Sequence, residues 1–104
     1  MSISPLDGPA KQTKITVNTT TVQEIKVGAS AQDERKVITV QPLTGKIYVY
    51  FGDATASAPN AATVIANGFV QYKKAKDDYE ASPQQPLYIL AVSGSVDVII
   101  AERA

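Results

Sequence analysis

From Thr13 onward apolar residues recur at about every second position and β-branched residues are frequent, the signature of half-buried strands. Ile15 and Val17 alternate with polar neighbours. Val22, Ile25 and Val27 follow with one slip in the alternation, which reads as a β-bulge. Asn18-Thr19-Thr20 reads as a turn or as an irregular part of one long strand, and residues 28–34 (GASAQDE) as a polar loop.

The next two segments, 35–41 (RKVITVQ) and 46–51 (KIYVYF), flank Pro42-Leu43-Thr44-Gly45, a turn with proline early and glycine last. Taken as a hairpin with a four-residue loop, they set Val40 opposite Ile47 and Ile38 opposite Val49. One face then carries Ile38, Val40, Ile47, Val49 and Phe51; the other carries Val37, Thr39, Gln41, Lys46, Tyr48 and Tyr50. A three-residue loop would mix polar and apolar residues on both faces, because a one-residue slip exchanges every side chain. A second hairpin is expected from PLYILAV (86–92) and SVDVIIAE (95–102) around Ser93-Gly94. Its apolar face is Leu87, Ile89, Ala91, Val96, Val98 and Ile100, and its opposite face carries Tyr88, Leu90, Asp97 and Ile99.

Between these pairs, residues 52–62 (GDATASAPNAA) read as a small-residue loop, and Thr63 to Ala66 as a short strand before an Asn67-Gly68 turn. Residues 69–81 (FVQYKKAKDDYEA) fit helical spacing at Phe69, Tyr72 and Tyr79. The Asn-Gly lead-in and Phe69, Val70 and Tyr72 favour a strand over 69–74, then a loop or a single helical turn. Seven or eight short strands at this spacing imply an all-β fold, a small antiparallel β-sandwich or jelly-roll-like barrel. At 104 residues the chain has room for one such domain, expected over 13–104. The first dozen residues, with two prolines, one glycine and no periodicity, read as an extended arm. Such arms are either disordered alone or laid across a neighbouring subunit.

Composition narrows the chemistry. With no histidine and no cysteine, Ser-His and Cys-His nucleophilic sites, imidazole or thiolate metal ligation and disulfides are all excluded. No P-loop, GxGxxG or SxxK spacing is present, so no catalytic residue, cofactor or metal site is expected. Asp77, Asp78 and Glu80 supply oxygen ligands, but they lack the spaced pattern of a calcium loop, and Lys73, Lys74 and Lys76 compete for them. That stretch reads as a solvated mixed-charge segment. Asp53 is expected to cap the loop after Phe51, and Asp97 to point outward from a strand. Ten basic residues balance ten acidic ones, without the basic surplus of a nucleic-acid binder. No run approaches the ~20 apolar residues of a bilayer-spanning helix, and the opening lacks the basic and apolar regions of a secretory signal.

The outward tyrosines remain. Tyr48, Tyr50, Tyr88, Leu90 and Ile99 on outer faces, with Pro5 and Leu6 of the arm, are the candidate interface residues. The competing reading is that a loop or the 69–81 segment covers them.

Several strings together carry a resemblance: V-x-E-I at Val22 to Ile25, Arg35-Lys36, and Ile47-Tyr48-Val49-Tyr50-Phe51-Gly52. The ending adds Leu87-Tyr88-Ile89-Leu90-Ala91, Ser93-Gly94 and Val96-Asp97-Val98. Across roughly residues 20–102 the chain resembles small phage virion β-proteins, among them the cement or decoration proteins of phage heads. The resemblance implies a capsid decoration protein that binds the major capsid protein on the virion surface, after a time in the host cytoplasm, as a homo-oligomer. It implies no nucleic-acid, membrane or small-molecule partner. Two other expectations stand beside it: a head–tail joining or tail-surface component, and a carbohydrate-binding module stacking sugars on Tyr48, Tyr50 or Tyr88.

Overall fold

A computed structural model describes residues 10–28, 31, 34–53 and 55–104. Eight strands and one helix are formed among them: β1 Ala10–Val17, β2 Gln23–Glu24, β3 Val37–Pro42, β4 Ile47–Phe51, α1 Ala61–Asn67, β5 Phe69–Gln71, β6 Asp77–Glu80, β7 Leu87–Ala91 and β8 Val96–Arg103. They build two antiparallel four-stranded sheets, β1-β8-β3-β6 (sheet A) and β2-β7-β4-β5 (sheet B). Every connection except β4 to β5 crosses from one sheet to the other. That alternation is the jelly-roll form of the β-sandwich.

The two expected hairpins are therefore corners. β3 pairs with β6 and β8 in sheet A, whereas β4 pairs with β5 and β7 in sheet B. Likewise β7 and β8 lie in opposite sheets. Apart from Phe51, which is exposed, the residues assigned to the inner faces are nonetheless the core: Ile38, Val40, Ile47, Val49, Leu87, Ile89, Ala91, Val96, Val98 and Ile100 form one buried cluster with Val17, Ile25 and Ala81. Alternation specifies which face a residue takes and is silent on which strand lies beside it. The two corners bind each other: Leu43 N–H donates to Asp97 O at 2.7 Å, Asp97 N–H to Thr44 Oγ1 at 2.9 Å, and Val92 N–H to Lys46 O at 3.1 Å. At Gly45 a Cβ would sit a tight 3.0 Å from Val96 Cγ2, and Gly94 takes a left-handed φ of 61°.

Three other segments differ from expectation. Residues 61–67 are helical although Thr63, Val64 and Ile65 are β-branched, because Asn60 caps the helix by accepting the Thr63 N–H at 2.8 Å. A seven-residue helix does not persist alone. Val64 anchors this one, completely buried where α1 packs on β4 and β7. The 69–81 segment holds two edge strands, β5 and β6, in different sheets. Around the slip at 22–27, Gln23 and Glu24 pair with β7, the Ile25 N–H continues the contact to Leu87 O at 2.8 Å, and the Ile25 side chain enters the core. β1 starts at Ala10, so residues 10–12 of the expected arm belong to the sandwich. Asn18 Oδ1 accepts the N–H groups of Thr20 and Thr21, which makes 18–21 a turn.

The end of the sandwich opposite the two corners is closed by polar groups. Arg35 and Glu102, each 1% exposed, form an ion pair, Nη1 to Oε2 at 2.9 Å. Arg35 Nε donates to Ala81 O, Nη1 also to Ile25 O, and Nη2 to Ser82 O and Gln85 O. Those five bonds match the five N–H groups of a guanidinium. Glu102 Oε1 accepts the Val27 N–H at 2.8 Å. Removing one member of a buried pair strands the other's charge, at about 3–5 kcal/mol. Arg35→Ala should lower the unfolding free energy by about that amount. A shifted denaturant midpoint with an unchanged m-value is the check.

Candidate docking surface

The expected interface residues divide. Tyr48 pairs with Leu90 and Tyr50 with Tyr88, so these four do share the outer face of sheet B. Ile99 lies on the outer face of sheet A, on the far side of the sandwich, opposite Lys14 and Gln41. Pro5 and Leu6 lie outside the described residues. Most of the sheet B face is covered by the chain itself. Leu90 is fully buried on the face where α1 packs against β4 and β7, and Tyr48 and Tyr50 are half-buried.

Tyr88, at 7% exposure, lies against Gly52, where any Cβ would overlap its ring. The ring has no open face for a sugar. Burial first, and Glu24 second, raise the pKa of its hydroxyl. The outer face of sheet B is thus in large part an internal contact, with α1 packed on β4 and β7 and Gly52 against Tyr88.

The exposed apolar surface lies one strand further out. Phe51, Phe69, Val70, Tyr72 and Ile65 are 44%, 42%, 39%, 65% and 49% exposed. Among the described residues β5 is the outermost strand of sheet B and pairs only with β4. Its side chains alternate: Phe69 and Gln71 point between the sheets, opposite Val49 and Ile47, and Val70 points outward opposite Tyr48. Phe51 and Phe69 stack at 5.9 Å, and both rings lie against Tyr79 of β6, at 5.8 and 5.9 Å. The three rings bridge the two sheets at the margin where β5 and β6 are the last strands. Lys46 Nζ lies 5.9 Å from the centre of the Tyr72 ring.

This aromatic margin rests on a polar support. Tyr79 Oη donates to Gln71 Oε1 at 2.8 Å, and the buried Gln71 amide donates to Val40 O and Ala75 O at 2.8 and 2.7 Å. The sequence held one signal for the surface: Phe69 and Val70 are adjacent, so a strand through them is apolar on both faces. Such a strand must be covered on both sides or stand at an edge.

Two depressions carry charged side chains. One of about 560 Å³ is lined by Arg35, Lys36, Val37, Glu80, Ala81, Ser82 and Gln85. Its guanidinium donors are all spent on protein acceptors. Another of about 220 Å³ includes Glu24, Asp53 and Tyr88. There Asp53 Oδ1 accepts from Thr55 N and Oγ1 at 2.9 and 2.7 Å, which lowers its pKa and makes it the loop cap expected. Asp97 Oδ1 accepts from Thr16 Oγ1 at 2.8 Å on the outer face of sheet A. Asp78 Oδ1 accepts from Thr39 Oγ1 at 2.7 Å. Among the described residues no group of three or more Asp or Glu side chains converges as a metal site would require.

No family model matches this chain, and no curated protein is significantly similar to it. A solved structure from work titled "Bacillus endospore appendages form a novel family of disulfide-linked pili" aligns with 99% of this chain and 96% of its own. The identity is 14% and the TM-score 0.38.

Tyr79 gives the aromatic margin a measurable property. Burial, and secondarily the charge of Asp77, push its pKa up from 10.0 to about 12. The folded state holds this proton more tightly than the unfolded chain. Its stabilising contribution is full below pH 10 and disappears as pH rises through about 12. Ultraviolet titration should show one tyrosine ionising last, near pH 12, and Tyr79→Phe should delete that step.

Proposed function

We propose that this chain is a non-catalytic structural protein that docks on an ordered protein lattice through the apolar margin around β5. Following the resemblance read from its sequence, we take that lattice to be the outside of a phage head. The observation that carries the reading is that β5 keeps its flanking Phe51, Phe69, Val70 and Tyr72 in water although it is a free edge. Contiguous exposed apolar groups of this kind mark contact surfaces, and aromatics are enriched at the centres of interfaces. The chain does not need a reaction to be useful in this role. A protein that binds only the mature form of a shell stabilises it by mass action.

The corresponding experiment mixes the purified protein with undecorated capsids and follows co-sedimentation and heat resistance. Wild type should bind and raise the temperature of capsid disruption. A Val70→Asp/Tyr72→Ala variant changes exposed positions, where stability effects stay within about 0.5 kcal/mol. It should melt as wild type does and bind at least ~10-fold more weakly, the scale of losing one central contact residue. Failure of the wild-type protein to bind, or equal binding by the variant, would remove this reading.

A further inference from the structure

The four edges of the sandwich are unlike one another. In sheet B, β2 is two residues long and β5 is apolar. In sheet A the two edges are oppositely charged. β1 exposes Lys11 and Lys14 and has no acidic residue; β6 exposes Asp77, Asp78 and Glu80 around Tyr79. Neither lysine of β1 enters an ion pair among the described residues. Each edge presents a row of backbone N–H and C=O groups able to pair with another strand.

Charge on an edge ordinarily prevents such pairing, and here it does so between like edges, Lys against Lys or carboxylate against carboxylate. Between unlike edges the same charges attract. Strand direction agrees: β1, β8, β3 and β6 alternate, so a second copy's β1 placed beyond β6 in the same orientation meets it antiparallel. We infer that sheet A continues from one copy of this chain to the next, β1 of one pairing antiparallel with β6 of its neighbour, directed by Lys14 facing Asp78.

Parity and charge narrow the register, and the smallest shift that opposes unlike charges sets it. Within the chain Ala10, Arg103, Val37 and Glu80 lie in one row across the sheet. Continuing that row, the neighbour's Ala10 would stand beside Glu80 and its Lys14 would meet Lys76, a like-charge pair. A shift of two residues keeps every side chain on its own face. It sets Lys14 against Asp78 and Gln12 against Glu80 on the outer face, and Thr13 against Tyr79 on the inner one. A contact between two different edges is head-to-tail, so copies add in sequence to a ring or an open fibre. It touches the aromatic margin only at Tyr79, through the inward Thr13, uses neither Val70 nor Tyr72, and is tested apart from the capsid reading.

Sedimentation velocity of the full chain at about 0.01 M and about 1 M salt tests this, since screening separates charge-steered from apolar association. Wild type should associate with rising concentration in low salt and at least ~10-fold more weakly in high salt. Lys14→Asp and Asp78→Lys should each be monomeric, and an equimolar mixture of the two should associate again. A wild type that is monomeric in low salt, or that associates more strongly in high salt, overturns the inference. So does a mixture of two folded variants that stays monomeric. Asp78→Lys forfeits the Thr39 bond; should that variant unfold, the wild-type salt comparison decides alone.

Discussion

The arrangement of this sandwich turns on a single guanidinium. Arg35 lies just before β3 and binds the carbonyls of Ile25, Ala81, Ser82 and Gln85 and the Glu102 carboxylate, so it joins the β2 side, the β6–β7 connection and β8 at one point. Burying a charge costs several kcal/mol that Coulomb attraction returns only with good geometry and full hydrogen bonding. Both conditions hold, with every guanidinium donor placed and Glu102 accepting the Val27 N–H as well. A chain that crosses between sheets at almost every connection leaves backbone carbonyls pointing into the gap at the sandwich ends. Arg35 satisfies four of them. At the opposite end the two corners satisfy each other.

That distribution explains what was legible in the sequence. The period-two alternation around Ile38, Val40, Ile47 and Val49, and again from Leu87 to Ile100, identified the buried face almost residue by residue. It could not identify neighbours. Two strands joined by a short turn direct the same residues inward whether they lie side by side or face each other across the core. Pro42–Gly45 and Ser93-Gly94 fit either geometry as turns. What separates them is non-local: Leu43 bonding to Asp97, and a 67-residue gap in sequence between Arg35 and Glu102. Nothing in the neighbourhood of Arg35-Lys36 announced that one of two adjacent cations would be buried and the other exposed.

The helix was hidden for a different reason. Thr63-Val64-Ile65 has strand propensity, and α1 exists because Asn60 caps it and Val64 finds a buried site over β4 and β7. Its presence also changes the meaning of the tyrosines. Tyr48, Tyr50 and Tyr88 lie on the face away from the core, yet much of this face is an internal contact because the helix packs there and Tyr88 lies against Gly52. Exposure depends on what the chain does between strands, and facing alone does not determine it.

The position of the apolar margin then follows from topology. β4 to β5 is the one connection that stays within a sheet, and α1 lies in that connection. The helix packs over β4 and β7, and β5, added last at the edge, keeps its outward Val70 39% exposed. On its inner side, sheet A ends at β6, whose four residues offer Tyr79 as the one large apolar side chain to meet Phe51 and Phe69. Three rings cannot close a gap that two full strands would fill, and Phe51 and Phe69 are left over 40% exposed. Burying them within this fold would take a longer β6 with apolar residues where Asp77 and its preceding lysines now stand. Those charges stay solvated, and the apolar surface beside them is open to a partner.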